Sequence, residues 1–340
     1  MIKKYIVCIV VFGLLSFACN RQKEAAIPQP SKSEVKEIQK QVQVKIKRYE
    51  QALYNIPKDS LESDLKNLQA DYYFLIDNLK DSDYVKQISI FLNEASNKKL
   101  YMDVQKQYPD LSDMEKEFSN AFALLKYHFS DAVIPHIYTA ISGLYYEMPI
   151  LFYDSTLMIA LDMYLGKDYK LYNRLGAGVP QFIKRRFSPE YILPSCLGEM
   201  SYRYISVKPQ QSHLLDAMIE EGKRLLFMEM MLPNLPDSLL FPFPQEKIQW
   251  AKNNERHIWA YLIQYNYLYS RDKTVIRKLV GEAPFTSYFG NESPGRIGAW
   301  IGWRICRTWM EKNPQKKVTE LFAETDAQKI LMESKYKPKK

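Results

Sequence analysis

The sequence predicts a mainly helical α+β fold, with long helices packed around one small β-hairpin or sheet. Three observations carry that expectation. Tyr and Phe are abundant, at 25 and 16 residues, while Gly numbers only 12. Bulky aromatic fillers suit helix packing, and scarce glycine disfavours Gly-rich β-sandwiches and nucleotide-binding folds. Apolar residues recur three and four apart through most of the chain, the spacing of one helix face. Only between Val133 and Tyr153 do β-branched and aromatic residues crowd together, broken by Gly143 and Pro149; a hairpin of two short strands is expected there.

With 340 residues, 46% apolar and 25% charged, the chain has an ordinary globular balance and can bury a sizeable core. Its net charge of +8 is spread along the sequence rather than gathered into blocks. A nucleic-acid footprint is therefore not expected.

In chain order, "MIKKYIVCIVVFGLLSFAC" comes first: Lys3 and Lys4, an apolar run too short to span a bilayer, then Ala18-Cys19. This is the pattern of a secretory signal over residues 1–18, ending in a lipobox-like site whose Cys19 thiol would take the diacylglycerol. Residues 19–33 hold Pro28 and Pro30 and lack an apolar period, as a tether does. Without the signal only Cys196 and Cys306 would follow Cys19, too few for a disulfide framework.

A long helix is expected from Glu34 to about Ile56, and a second from Ser60 to Lys80, where Leu61, Leu65, Leu68, Tyr72 and Leu75 share a face. "SDMEKEFSNAFALLKYHF" is the clearest helix. Ser112 and Glu115 fit a capping box, and Met114, Phe118, Ala121, Phe122, Leu125 and Phe129 form one stripe. After the strand-like segment, "DSTLMIALDMYLGKD" reads as a strand or short helix ending at Gly166. From Pro189 onward the chain is helical, punctuated by Pro194, Pro233, Pro236, Pro242, Pro244 and Pro294. In "GRIGAWIGWRICRTW", Gly295, Gly298 and Gly302 fall on one face and allow close backbone approach, with Trp300, Trp303 and Trp309 filling the others. Residues 34–130 form an N-terminal helical region, expected to pack with 131–340 as one globular unit.

"CLGEMSYRY", Cys196 to Tyr204, has the outline of a metal-binding helix with its ligands missing. An HExxH zinc peptidase needs two imidazoles one turn apart, a glutamate beside the first, and a third ligand from another helix. Aligning Glu199 with that glutamate puts Gly198 and Tyr202 where the histidines belong, and Glu221 at a spacing that suits the third ligand of a gluzincin. Glycine and tyrosine do not replace imidazole, so neither metal nor cofactor is expected. His128, His136, His213 and His257 fall in four separate elements. Serine-hydrolase elbows, phosphate loops and dinucleotide fingerprints are absent. Glu220-Glu221 reads as a solvated helix face.

The stretches "YTAISGLYYEMP", "LMIALDMYLGKDYKLY", "EEGKRLLFMEMMLP", "PGRIGAWIGWRI" and "AQKILMESKYKP", in that order downstream of Cys19, resemble the GldB family. These are gliding-motility-associated lipoproteins of Bacteroidetes bacteria. The resemblance covers about Tyr101 to Pro338, with "ALDMYLG" and "ESKYKP" its more specific parts. It implies a degenerate zinc-peptidase-like, gluzincin-like fold that has lost its HExxH ligands. It also implies a non-catalytic outer-membrane lipoprotein that works with envelope proteins of the gliding machinery. Arg21 and Lys23 differ from the acidic patch that marks surface-exported lipoproteins of that phylum, so the anchor is expected to face the periplasm. Two other functions fit the residues: a metallopeptidase with a divergent site around Glu199 and Glu221, and a helical glycan- or solute-binding lipoprotein whose aromatic side chains stack on sugars.

Overall fold

The computed structural model describes residues 29–338 other than 77, 78, 80, 177 and 209–212. The expected signal sequence and Cys19 lie outside the described residues. Helix α1 (Lys32–Gln41) opens earlier than expected, because Ser31 and Glu34 exchange side-chain and backbone hydrogen bonds in a capping box. The long helix expected to reach Ile56 stops at Gln41. Val42, Val44 and Ile46 are all buried, and this alternation of β-branched residues leads into β1 (Ile46–Arg48) before helix resumes in α2 (Tyr49–Tyr54). Tertiary donors and acceptors hold the extended stretch. Ser119 Oγ accepts the Val44 N–H at 3.0 Å and the Glu115 carboxylate accepts the Ile46 N–H at 3.0 Å.

The second expected helix is shorter too. It covers only α3 (Leu61–Leu68), after which successive turns lower Ile76 into the core. Helices α4 (Ser82–Asn93), α5 (Ala95–Gln107) and α6 (Ser112–His128) follow. The Ser112–Glu115 capping box does not form: Leu111 is the N-cap, Asp110 accepts the Ser112 N–H, and Glu115 is spent on Ile46. Within the predicted stripe Phe118, Ala121, Phe122 and Leu125 are buried.

Strands β2 (His136–Ala140), β3 (Ile150–Tyr153) and β4 (Thr156–Ala160) join β1 in a four-stranded mixed sheet of order β1-β2-β4-β3. The hairpin therefore lies one strand later than the sequence predicts. β3 and β4 pair antiparallel, whereas β2 pairs parallel with both β1 and β4. The physical reason is the turn after β2, where Gly143 and Leu144 adopt positive φ. Asp162, fully buried, accepts the N–H groups of Ser142 at 2.9 Å and Leu144 at 2.8 Å. This anchor sends the chain outward rather than back along β2. Reversal comes instead at Asp154, also at positive φ, and leaves β3 as an edge strand.

The remaining elements are α7 (Gln181–Lys184), α8 (Ile192–Tyr204), α9 (Leu214–Met231), α10 (Asp237–Leu240), α11 (Gln245–Gln264), α12 (Lys273–Val280), α13 (Ile297–Lys312), α14 (Val318–Ala323) and α15 (Ala327–Ser334). α8 packs on β3 and β4, α9 packs on α8, and α13 packs on α9. The α9–α13 crossing is very close. A Cβ on Gly222 would lie 2.2 Å from the Gly302 carbonyl carbon, and one on Gly302 would lie 1.7 Å from the Met218 oxygen. The predicted glycine face is thus divided among three neighbours: Gly295, just ahead of α13, meets Ala283, Gly298 meets Leu279, and only Gly302 meets α9. Trp300, Trp303 and Trp309 are buried beside this crossing. Cys196 and Cys306 are both buried free thiols; burial pushes the Cys306 thiol up to about 12. Among the described residues no helix is long and apolar enough to cross a membrane.

Candidate functional site

Between α8 and α9 lies an open cleft of about 670 Å³. On α8 the residues facing it are Pro194, Ser195, Gly198, Glu199 and Tyr202, one helix face at spacings of three and four, while Cys196, Leu197, Met200 and Ser201 turn into the core. On α9 the cleft face is Glu221, Arg224, Leu225 and Met228, again at helical spacing. The segment after β2 supplies Tyr146, Glu147 and Met148, and Ile150 of the edge strand β3 completes that side. The four residues read from the sequence as a ligandless metal helix and its distant glutamate, Gly198, Glu199, Tyr202 and Glu221, thus line one cleft.

Their chemistry is set by arginines that the sequence reading did not include. Arg224 binds Glu221 at 2.5 Å and also pairs with Glu220, one turn away on the same helix. The second oxygen of Glu221 pairs with Arg296. Arg296 reaches Glu282 at 3.3 Å, and Glu282 binds Arg186 at 2.6 Å. A continuous chain of ion pairs, Arg224–Glu221–Arg296–Glu282–Arg186, therefore runs along the cleft. Burial raises the Glu282 carboxyl, but the Arg296 and Arg186 guanidiniums outweigh it and hold it below its ordinary value. Glu220 and Glu221 are mostly buried and paired, which corrects the expectation of a solvated face. The α9 pairings are legible afterwards as i, i+4 and i, i+3 spacings to Arg224. Arg186 and Arg296 lie far away in sequence and carry no such signal.

Arg296 has a further property. It is the N-cap of α13 and sits in the left-handed region, with φ 56°, a conformation costing about 1–2 kcal/mol for a residue with a Cβ. Its side chain reaches Glu221 and Glu282 from that position.

Tyr202 lies under the Arg224 guanidinium, 4.2 Å from its ring centroid. Desolvation raises its phenol above the usual value despite Arg224, so it stays protonated. Glu199 differs from its neighbours: it is exposed to the cleft, and among the described residues it makes neither hydrogen bond nor ion pair. The surrounding walls desolvate it enough to raise its carboxyl, against the pull of Arg224.

As a zinc site this arrangement does not fit. Both Glu221 oxygens are engaged by guanidiniums, Tyr202 is a protonated phenol, and Gly198 has no donor. Among the described residues no three His, Cys, Asp or Glu side chains converge to hold a metal ion. The four histidines remain dispersed over α6, the start of β2, the N-cap of α9, and α11.

The model of one protein family, described as gliding motility protein GldB, matches residues 29–338. The chain belongs to the GldB family. That membership places it among the gliding-motility lipoproteins and associates it with the cell envelope. Neither the curated proteins nor the solved structures gave a match. Two of the stretches that resemble GldB proteins have a structural explanation. Asp162 in "ALDMYLG" anchors the "ISGLYY" turn through Ser142 and Leu144, and that turn leads to Tyr146, Glu147 and Met148 at the cleft.

Proposed function

We propose that this GldB-family chain is a non-catalytic component of the gliding machinery. It is lipidated at Cys19, faces the periplasm from the outer membrane, and acts by holding a segment of an envelope partner protein in the α8–α9 cleft. Residues 34–130 and 131–340 work as one globular unit on the end of the tether. The observation that carries the reading is the double engagement of Glu221 by Arg224 and Arg296. A carboxylate in two charge-assisted ion pairs is stabilised where it is and is unavailable to a metal. The positions Gly198, Glu199, Tyr202 and Glu221 then serve as walls of a binding surface. The edge strand β3 beside the cleft offers unpaired backbone groups to an extended segment.

A photo-crosslinking residue at Tyr202 or Met148, in cells producing the full-length chain, is expected to form a discrete adduct with an envelope protein. The same residue at Tyr73, exposed and not among the cleft-lining residues, is expected to form none. Equal labelling from both sites, or no adduct from either, would sink this reading.

One observation favours a second reading, a peptidase with a divergent site. Glu199 is an unpaired carboxyl with a raised protonation point in a cleft, a setting that general acids and bases share. Stoichiometric zinc in the purified chain, lost in Glu221→Ala, together with chelator-sensitive peptide cleavage lost in Glu199→Gln, would establish that enzyme.

A further inference from the structure

If the cleft holds a partner segment, as proposed above, its charges select which segment. The guanidiniums lining it are committed: Arg224 to Glu220 and Glu221, Arg296 to Glu221 and Glu282, Arg186 to Glu282. Two carboxylates are not. Glu147 and Glu199 line the cleft from opposite sources, the segment after β2 and helix α8, and both are exposed to it. Among the described residues neither makes a hydrogen bond or ion pair. The uncommitted charge of the cleft is therefore negative, although arginines line it.

We infer that the cleft selects an extended polypeptide segment bearing a lysine or arginine side chain, whose cationic head pairs with Glu199 while Glu147 adds to the attraction. A carboxylate already partly stripped of water gains most from a charge-assisted hydrogen bond, since part of its desolvation cost has been met by the fold. The aliphatic stem of such a side chain has apolar wall to lie on, at Met148, Phe187 and Met228. An acidic segment meets the opposite situation. It would face Glu147 and Glu199 with no uncommitted guanidinium to answer it, a like-charge juxtaposition that costs affinity.

The test uses a mixed pool of acetylated, amidated hexapeptides passed over the immobilised full-length chain, with the retained peptides sequenced. Three forms are compared: the unmodified chain, Glu199→Gln, and Gly198→Phe, whose ring fills the cleft from an α8 position that has room for a Cβ. The expected result is a retained pool enriched in Lys and Arg by about tenfold, the scale of one charge-assisted pair. That enrichment should vanish in Glu199→Gln, and retention as a whole should vanish in Gly198→Phe. Peptides that depend on an open cleft but show no Lys or Arg preference, or a preference unchanged in Glu199→Gln, overturn this inference and leave the partner-binding reading standing. Retention no greater than in Gly198→Phe overturns both.

Discussion

Glu221 on α9 and Arg296 at the N-cap of α13 form an ion pair across 75 positions of sequence, and Arg296 makes it from a left-handed backbone conformation. Two terms with separable consequences meet at one residue. Arg296→Ala removes the guanidinium and keeps the Cβ strain. It should lower stability by about 2 kcal/mol, between the exposed-pair and buried-pair limits, because both partners are partly shielded from water. Arg296→Gly loses the same pairs but relieves the backbone, and should retain about 1 kcal/mol more than the alanine variant. Urea denaturation of the three chains measures both differences, and an alanine variant more stable than the glycine variant would contradict the strain assignment.

Glycines on two helices that both pack on α9 should respond in opposite senses to the same substitution. Gly302→Ala places a methyl group 1.7 Å from the Met218 carbonyl oxygen, which only separation of α9 from α13 can relieve. The expected loss is about 3 kcal/mol or more, overwhelming the roughly 1 kcal/mol that alanine contributes to helix propensity. Gly198→Ala meets nothing closer than Met228 Sδ at 3.6 Å, an ordinary contact. It should therefore stabilise the chain by about 0.5–1 kcal/mol. Thermal denaturation with opposite shifts for the two variants is the expected outcome.

Removing the Asp162 side chain should loosen the cleft as well as the core. Asp162→Ala leaves the Ser142 and Leu144 N–H groups without their acceptor, at a cost of about 3 kcal/mol for one buried and one half-buried donor and their lost charge assistance. Limited proteolysis should then cut near Tyr145–Met148 in the variant under native conditions, and leave the unmodified chain intact there.

Acid sensitivity has an identifiable source in α6. His128 is half-buried, its Nε2 is shut off from solvent without a hydrogen-bond partner, and burial lowers its protonation point from 6.5 to about 4. The unfolded chain accepts a proton near pH 6.5 that the folded ring refuses until about pH 4. The associated stability is fully present above pH 6.5 and is lost as pH falls through about 4. His128→Phe should flatten the pH dependence of the urea midpoint across that window, whereas an unchanged slope would assign it to other groups.

The regular parts of this molecule were legible because each is written in local spacing. The α6 stripe, the helices α8, α9, α11 and α13, and the strand-rich region all follow from apolar periodicity. Legibility failed where a distant partner decided the outcome. Ser119 and Glu115 pull Val44 and Ile46 out of a helix and into the sheet, and Asp162 turns the chain after β2, so the hairpin forms one strand later. The candidate site divides the same way. Gly198, Glu199, Tyr202 and Glu221 were marked by their resemblance to a metal motif, while Arg186, Glu282 and Arg296 belong to no motif.

By itself the sequence determined the mainly helical α+β class, the kinship with GldB proteins, and the helix faces that carry the cleft residues, because residues three and four apart share a face wherever a helix forms. Tertiary structure alone decided which charges in that cleft are neutralised. Ion pairing depends on approach within a few ångströms, and the folded chain brings Arg186, Glu221, Glu282 and Arg296 together across loops and helices whose spacing in sequence carries no trace of the encounter.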